Sequence, residues 1–290
     1  MHPFAYVAPT TVEDAVSVLA KHGDRARPIA GGTDLLVHTR AGRLNLDAVV
    51  DIKKIPELMA IKNGPGGLEF GAAVPCYQLY ENSELSAQYP GIMDAASLIG
   101  GIQIQSRAAL GGNLCNATPS GDGICPLIVH YATCVIAGPN GRREIPVEDF
   151  CTGPGRNALQ AGELLVSLKL PKPPARFGAA YERFIPRNEM DIAVVGVAAS
   201  VELENDGRTV KSARIGLAAV GPTPILAEAA GSALVGKSVD DPAAISAASA
   251  AARDAASPIA DMRGTIEQRR HLVEVLTGRM IKKAAERARK

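Results

Sequence analysis

The stretch ALGGNLCNATPSGDG (residues 109–123) decides how this chain must fold, because it sets two adjacent glycines directly after apolar residues. An earlier stretch, PIAGGTDLL (residues 28–36), repeats the arrangement of apolar residues, a glycine pair and a nearby acid. Both stretches contain almost no side chain able to perform acid–base chemistry. A glycine pair lets backbone N–H groups approach a ligand closely, since no β-carbon stands in the way. The two stretches therefore predict two loops that bind rather than react.

Each glycine loop has the features of an anion site built from the main chain. If a helix begins directly after such a loop, its unpaired N–H groups add partial positive charge and hold a phosphate without lysine or arginine. One loop would hold one phosphate, whereas two loops suit the diphosphate of a dinucleotide. Neither loop reads G-x-G-x-x-G or G-x-x-x-x-G-K-S/T, so the nicotinamide fingerprint and the P-loop are absent. A tight turn remains the alternative for either pair alone.

The composition argues against nucleic-acid and membrane partners. The 290-residue chain carries 31 basic and 30 acidic residues, a formal net charge of +1, so no long-range field attracts nucleic acid or an anionic membrane. Aromatic residues make up only 4%, so stacking platforms for exposed bases are not expected. No run approaches the about 18 apolar residues of a membrane span, and the N-terminus lacks a secretion signal, so we expect a cytoplasmic protein.

The cysteines and histidines show no disulfide or metal-site pattern. The five cysteines are an odd number without a C-x-x-C pair, and the five histidines include no H-E-x-x-H. We therefore expect free thiols that are buried or half-buried, and no metal ion in this chain.

The first part of the chain, residues 1 to about 57, is predicted to form a small α/β unit. The segment from Thr11 to Gly23 predicts a helix that the threonine caps and the glycine ends. A short apolar strand then breaks at the first glycine pair, and Thr33 is predicted to cap the helical turn that follows. Residues 46–52 are predicted to form a further strand.

Residues 58–175 continue the pattern as a second α/β subdomain. A strand at 67–75 precedes helix-like stretches and the second glycine loop, and a helical stretch and two strands joined by a Pro-Asn-Gly turn follow. A last strand is predicted at 163–171. The segment PKPPA (171–175) marks a boundary, because such closely spaced prolines extend neither a helix nor a ladder.

The last part of the chain, residues 176–290, is predicted to be a small sheet backed by helices. Alternating strands flank Asn205, Asp206 and Gly207, which predict a hairpin turn. The remainder from Leu226 onward is alanine-rich with helical spacing, and its basic end fits a solvated last helical turn rather than a nucleic-acid contact.

Four ordered segments resemble the FAD-binding medium subunit of the molybdenum hydroxylases, the group of xanthine dehydrogenase and aerobic carbon monoxide dehydrogenase. AGGTDLL (30–36) is similar to the family's first FAD loop, and ALGGNLCNATPSGD (109–122) is similar to its second. GELLVSLKLP (162–171) and YERFIPRNEMDIAVVGVA (181–198) occupy the places of two further family segments. The resemblance runs from end to end, and the order of the four motifs makes it specific.

This resemblance implies an α+β protein of two domains. Residues 1–175 would form a vanillyl-alcohol-oxidase (PCMH)-type FAD-binding domain of two α/β subdomains, at about 1–57 and 58–175. Residues 176–290 would form the C-terminal medium-subunit domain, with a three-stranded antiparallel sheet and helices.

The resemblance also places particular residues on FAD, and both glycine loops would bind its diphosphate and flanking ribityl and ribose groups. Thr118 and Asp122 would hold polar groups of FAD. Leu165 would pack by the adenine or isoalloxazine, and Arg183 matches a cofactor-binding position often held by lysine. Ile192 falls where carbon monoxide dehydrogenases place a tyrosine over the flavin ring, so that aromatic cover is absent here. The expected loop residues are Ala30, Gly31, Gly32, Thr33, Asp34 and Leu35 in the first loop and Ala109, Leu110, Gly111, Gly112 and Asn113 in the second.

The implied activity leaves the organic substrate to another chain. A large subunit with a molybdopterin-type molybdenum cofactor would hydroxylate the substrate, a small subunit with two 2Fe-2S clusters would relay single electrons, and the FAD here would collect electron pairs for an external acceptor. Family members are commonly dimers of such heterotrimers. No catalytic side chain is expected in this chain, and Gly111, Gly112 and Asn113 are expected to act through close backbone approach to FAD.

One further departure from the family pattern and two other hypotheses qualify this interpretation. Thr33 and Asp34 stand where carbon monoxide dehydrogenases usually have histidine and serine, which argues against carbon monoxide as the substrate. A stand-alone FAD-dependent oxidoreductase of the same superfamily would need an acid or base at the flavin, for which Tyr77, Tyr80 and Tyr181 are the candidates. A flavin-free interaction subunit would use the glycine loops as mere turns. The sequence identifies neither the substrate nor the final acceptor among NAD, a quinone, a carrier protein and oxygen.

Overall fold

The computed structural model describes residues 2–290, which form three sheets and a short two-stranded ribbon. The first two sheets lie in the N-terminal region, residues 2–171, and the third lies in the C-terminal region, residues 177–290. The proline-rich residues 172–176 join the two regions. Within the described residues, no helix combines the length and apolarity needed to cross a bilayer.

The first sheet is parallel. Its unit consists of β1 (Ala5–Val7), α1 (Val12–His22), β2 (Ala26–Ile29), α2 (Leu35–Arg40), β3 (Ala48–Asp51) and α3 (Pro56–Met59). Ala48 of β3 pairs with Ala5 on one side and with Ala26 on the other, which gives the strand order β1-β3-β2. All three strands therefore end at the same edge of the sheet.

Helix α1 forms where the residue pattern predicts it. The Thr11 hydroxyl accepts a hydrogen bond from the backbone N–H of Asp14 at 3.1 Å, and Gly23 ends the helix with a φ of 54°. The buried face packs against the parallel sheet, and burying each large aliphatic side chain stabilises the fold by about 1.5–3 kcal/mol. That face comprises Val12, Ala15, Val16 and Leu19.

The second sheet is antiparallel, with the strand order β4-β5-β10-β6-β7. Its elements are β4 (Ile61–Gly64), β5 (Gly67–Gly71), α4 (Cys76–Tyr80), α5 (Ser83–Gln88), α6 (Pro90–Ala96), α7 (Ile102–Gln105), α8 (Leu110–Asn116), α9 (Ile124–Val129), β6 (Thr133–Gly138), β7 (Gly141–Pro146), the ribbon β8 (Cys151–Gly153) and β9 (Arg156–Asn157), and β10 (Leu164–Pro171). The predicted strand at 163–171 is therefore the central strand of this sheet. Its register with β6 shifts between Leu165 and Ser167.

The third sheet is also antiparallel and is covered by helices. Its elements are β11 (Phe177–Phe184), β12 (Val195–Leu203), β13 (Val210–Ala218), β14 (Ile225–Leu226), α10 (Glu228–Ser232), α11 (Pro242–Ala255) and α12 (Ile266–Ala288). The three long strands match the predicted three-stranded sheet, and the two-residue β14 extends it at one edge. The predicted hairpin turn forms because Asp206 accepts from the backbone N–H groups of Arg208 and Thr209, each at 2.8 Å.

The C-terminal region packs directly against the N-terminal region. The Ser200 hydroxyl on β12 donates to the Val129 carbonyl at the end of α9 at 2.9 Å. The backbone N–H of Ala219 donates to the carbonyl of Pro119, which follows α8, at 2.7 Å. These contacts lie next to the second glycine loop and its following segment.

Candidate functional site

The first glycine loop, residues 30–34, leaves β2 at the carboxyl edge of the parallel sheet, where open α/β sheets bind ligands. Gly32 has a φ of 76°, in the left-handed region that favours glycine. Helix α2 begins directly afterwards, but its N-cap is Asp34 rather than the predicted Thr33, and no side chain caps it. Within the described residues, the N–H groups from Gly31 to Asp34 donate to no protein acceptor. They remain available to a ligand.

The second glycine loop, residues 109–113, lies beside the first. A methyl group built on Gly31 would stand only 2.2 Å from the carbonyl oxygen of Arg107, two residues before the second loop. Ala109 is the extended N-cap of α8 and provides no side-chain cap. The N–H groups of Gly111 and Gly112 fall in the first turn of α8, where no intrahelical acceptor exists. The fold therefore brings the two glycine loops into contact, and both carry N–H groups without a protein acceptor.

The two glycines of the second loop face different surroundings. A methyl group on Gly111 would lie 2.4 Å from the carbonyl oxygen of Ala72 and 2.6 Å from its Cα. A methyl group on Gly112 would meet nothing within 4 Å. The missing side chain of Gly111 makes room for the backbone after β5, and contact of the Gly111 N–H with FAD stays a prediction. Gly112 is the glycine that borders open space.

Asn113 and Thr118 shape the segment that follows the second loop. The Asn113 Oδ1 accepts from the backbone N–H of Gly123 at 3.0 Å, and a methyl group on Gly121 or Gly123 would stand 3.1 Å from that oxygen. The Thr118 carbonyl accepts from the N–H of Gly121 at 2.9 Å. Asn113 thus holds this segment through its side-chain oxygen. A contact between the Thr118 hydroxyl and FAD stays a prediction.

Asp122 is buried at the boundary of the two regions. It is 7% exposed, and its carboxylate accepts from the Tyr181 hydroxyl at 2.6 Å and from the Arg183 guanidinium. Burial raises the pKa of Asp122, while the neighbouring Arg183 and Tyr181 lower it. Burial beside this carboxylate also raises the pKa of Tyr181, which keeps the phenol protonated as a donor. Two predicted cofactor residues, Asp122 and Arg183, therefore bind each other.

The other two predicted residues lie in different environments. Leu165 on β10 is 1% exposed and belongs to the core of the second sheet. Ile192, in the segment between β11 and β12, is 50% exposed. Its neighbour Met190 reaches the N-terminal region, because a methyl group on Gly101 would lie 3.0 Å from the Met190 sulfur. Packing of Leu165 or Ile192 on FAD stays a prediction.

A lysine that the sequence interpretation did not include supports the first loop. The Lys53 ammonium donates to the Ala30 carbonyl and to Asp51 Oδ1, each at 2.8 Å, and the Tyr6 hydroxyl donates to Asp51 Oδ2. Burial raises the pKa of Asp51, but the bonds from Lys53 and Tyr6 lower it overall. The signal was present in the sequence, because Asp51 ends β3 at the ligand-binding edge and Lys53 lies two residues further on.

Each of the three candidate tyrosines has a hydrogen-bond partner within the described residues. Tyr181 is engaged by Asp122, the Tyr80 hydroxyl donates to Gln105 at 3.0 Å, and the Tyr77 hydroxyl accepts from Gln78 at 3.2 Å. All five cysteines are free, and burial raises the pKa of Cys115, directly after the second loop, to about 12. Across residues 2–290, no group of three or more potential ligands could hold a metal ion.

Two family descriptions match almost the whole chain. Residues 2–173 match the family described as "FAD binding domain in molybdopterin dehydrogenase", and residues 179–284 match "CO dehydrogenase flavoprotein C-terminal domain". The matched segments meet near the proline-rich link between the two regions.

Individual proteins are similar over their full length. The chain is 34% identical to the carbon monoxide dehydrogenase medium chain of Afipia carboxidovorans, over 99% of this chain and 98% of that protein. It is 33% identical to the xanthine dehydrogenase FAD-binding subunit of Escherichia coli O157:H7, with the same coverage of 99% and 98%. Its fold superposes on a chain of carbon monoxide dehydrogenase from Hydrogenophaga pseudoflava with a TM-score of 0.93, at 32% identity and 99% coverage of each chain.

Proposed function

This chain belongs to the family of FAD-binding medium subunits of the molybdenum hydroxylases, and from that premise we propose that it holds FAD between its two glycine loops and transfers electrons through it. Electrons arrive from the 2Fe-2S clusters of a small partner subunit and leave to an external acceptor. The chain is thus an oxidoreductase subunit that does not bind the organic substrate.

One observation carries the proposal: the two glycine loops touch each other, and each carries backbone N–H groups without a protein acceptor. The groups from Gly31 to Asp34 lack protein acceptors, Gly112 borders open space, and the loops touch at Gly31 and Arg107. Such an arrangement neutralises a diphosphate through main-chain dipoles. The residues present therefore fit a dinucleotide such as FAD.

Side chains around the loops would position the cofactor rather than react with it. Lys53 fixes the Ala30 carbonyl, Asn113 fixes the segment that follows the second loop, and Asp122 with Arg183 lies at the end of that segment. When bound, FAD supplies the capacity to take electrons singly and release them in pairs. The protein supplies orientation, burial and electrostatic surroundings for it.

The partners are a large subunit with a molybdopterin-type molybdenum cofactor and a small subunit with two 2Fe-2S clusters, assembled as a dimer of heterotrimers. Support comes from relatives that are named as a medium chain and as a FAD-binding subunit, and that match this chain along its whole length. The substrate pocket of such a complex would lie in the large subunit.

The proposal is tested on purified full-length protein. We expect a flavin absorbance spectrum, release of FAD rather than FMN on denaturation, and co-purification of one large molybdenum-containing chain and one small iron–sulfur chain from the native source. Protein that neither carries nor takes up FAD would instead support a flavin-free interaction subunit. A flavoprotein that oxidises a substrate without partner chains would support the stand-alone oxidoreductase.

A further inference from the structure

The contact between Asp122 and the C-terminal region is a closed, buried cluster of three side chains. Asp122 comes from the N-terminal region, whereas Tyr181 and Arg183 come from β11. Tyr181 is 1% exposed, and the side chains of Arg183 and Asp122 are 5% and 9% exposed. Removing one partner of such a buried pair leaves the other charge or dipole uncompensated. Asp122 therefore keeps its position only while β11 is in place.

Tyr181 is held at both ends by carboxylates of the N-terminal region. Its hydroxyl donates to Asp122, and its backbone N–H donates to Asp94 Oδ2 on α6 at 3.0 Å. Asp94 also binds Arg287 near the end of α12 through two bonds, at 2.6 and 2.9 Å. The position of Tyr181 thus depends on how the C-terminal region is docked against the N-terminal region.

The same cluster connects to the second glycine loop through one intervening residue. Asp122 precedes Gly123, whose N–H donates to the side chain of Asn113, the residue directly after Gly112. The side chain of Asn113 lies close to both Gly121 and Gly123, the two residues that flank Asp122. A displacement of Asp122 is therefore passed to the loop that would hold the cofactor.

Arg183 retains one donor for a ligand. Its Nε is buried and has no hydrogen-bond partner in the described part of the chain, although its Nη1 binds Asp122. A buried donor without an acceptor is unfavourable, and the cost is relieved when a ligand oxygen or nitrogen arrives beside it. The cluster thus holds one buried donor that no protein group in the described residues accepts.

We infer that Tyr181 is a positioning residue that couples FAD binding to docking of the C-terminal region, through Asp122 and Asn113. This inference rests on the proposed binding of FAD. Because coupling is reciprocal, bound FAD tightens β11 against the N-terminal region, and a correctly docked β11 increases the affinity for FAD by the same factor.

The first test is Tyr181→Phe, which removes only the hydroxyl that binds Asp122. Tyr181 is too deeply buried to be a surface contact for FAD, so an effect on affinity must pass through Asp122. Titration of the apoprotein with FAD, followed by flavin fluorescence, should show affinity weakened by about 5-fold to about 150-fold, the usual range for coupled sites. The matched control is Tyr89→Phe, another fully buried tyrosine, whose hydroxyl bonds only the Pro171 carbonyl. Its FAD affinity should stay within about twofold of wild type, below that coupling range.

The second test uses the wild-type chain and does not depend on a variant that folds. Hydrogen–deuterium exchange across Phe177–Phe184 should slow when FAD is added, and Tyr181→Phe should abolish that response. The coupling alone would be overturned if Tyr181→Phe bound FAD with wild-type affinity. It would also be overturned if hydrogen–deuterium exchange in wild-type β11 were the same with and without FAD. A wild-type chain that binds no FAD would overturn both the coupling and the proposed function.

Discussion

Gly111 and Gly112 are neighbours in the chain, but their missing side chains serve different purposes. Gly111 makes room for the Ala72 backbone, and Gly112 borders open space beside the free N–H groups. The sequence could show that this pair is special, because two glycines follow apolar residues there. It could not show which glycine faces the ligand, since Ala72 is far away in the chain and only the folded packing brings it near.

Alanine at these two positions should therefore give opposite results. Gly111→Ala forces a methyl group against the Ala72 backbone and should lower the free energy of unfolding by about 1–3 kcal/mol. Gly112→Ala should leave stability unchanged or raise it by up to about 1 kcal/mol, because alanine favours the helix. Its methyl group should nevertheless weaken FAD binding by about tenfold, or about 1.4 kcal/mol. Urea unfolding of the apoproteins and FAD titration measure the two effects. Unchanged FAD affinity in Gly112→Ala would place the diphosphate elsewhere.

His130 should make the stability depend on pH. The buried ring lies between Tyr89 and Phe177, with ring centroids 5.9 and 5.4 Å away, and its Nε2 has no partner in the described structure. Burial lowers the pKa of His130 from 6.5 to about 3, while Asp94 raises it and Arg287 lowers it further. In the unfolded chain, His130 then binds a proton below about pH 6.5, whereas in the folded chain it binds one only near pH 3.

The contribution of His130 to the free energy of unfolding is fully present above pH 6.5 and falls as the pH drops toward 3. The slope should reach about 1.4 kcal/mol per pH unit. Replacement of the imidazole by an apolar side chain, His130→Leu, should remove this contribution. Urea unfolding of both proteins between about pH 7 and about pH 5 checks it, since the stability difference between them should vary with pH. A constant difference would show that the ring takes up its proton at the same pH in the folded chain as in the unfolded chain.

At the scale of helices and strands, the sequence predicted those elements whose caps, turns and apolar faces are formed by residues close together in the chain. Helix α1 has its own cap and apolar face, and the β12–β13 hairpin has Asp206 to close its turn. The residue pattern of Phe177–Phe184 does not predict a strand, because FGAAYERF holds few strong strand formers. Pairing with β12 and the bond from Tyr181 to Asp94 form β11 instead. These are long-range contacts that a linear pattern does not contain.

The end of α12 offers a matched pair of arginines to test how the helix is anchored. Arg287 and its partner Asp94 are 23% and 17% exposed, and Arg287 also donates to the Ala179 carbonyl at 2.7 Å. Arg289 pairs with Asp240, and these side chains are 36% and 52% exposed. Arg287→Met should lower the free energy of unfolding by about 2 kcal/mol, because it removes both guanidinium bonds from the partly buried Asp94.

Arg289→Met, two residues further along the same helix, should cost less than about 1 kcal/mol because solvent screens its ion pair. Chemical denaturation of the two variants beside wild type gives the comparison directly. Equal losses would mean that the contact of α12 with Asp94 contributes no more than a surface ion pair.

At the scale of the whole molecule, the two glycine loops predict preference for a dinucleotide. FAD at one hundred times its dissociation constant should raise the free energy of unfolding by about 2.7 kcal/mol, and the melting temperature should keep rising with added FAD. FMN has one phosphate and no adenylate half, so the same concentration should stabilise far less. Thermal melts of the apoprotein with each flavin measure this. Equal stabilisation would mean that only one loop binds.

The architecture of the site as a whole was only partly predictable. The sequence located both loops and predicted one common role for them, because a glycine pair followed by the start of a helix is a local pattern. It did not locate the support from Lys53 or show that Asp122 and Arg183 bind each other across the two regions. Those contacts join residues that are distant in the chain, so no local pattern contains them, and the bond between Asp122 and Arg183 forms only once both regions have folded and docked.

Strand β11 lies at an outer edge of the third sheet, and at Tyr181 its outward N–H is covered by Asp94 of the N-terminal region. The opposite edge is the two-residue β14, which is too short to recruit a further strand. Separated from its neighbour, the fragment 177–290 would leave β11 as an exposed edge strand, with the Tyr181 N–H unpaired and open to other copies of the fragment. Light scattering should then reveal self-association of that fragment at concentrations where the intact chain stays dispersed, and a monomeric fragment would contradict this. We therefore expect the N-terminal region to prevent aggregation of the C-terminal region by covering the edge of β11.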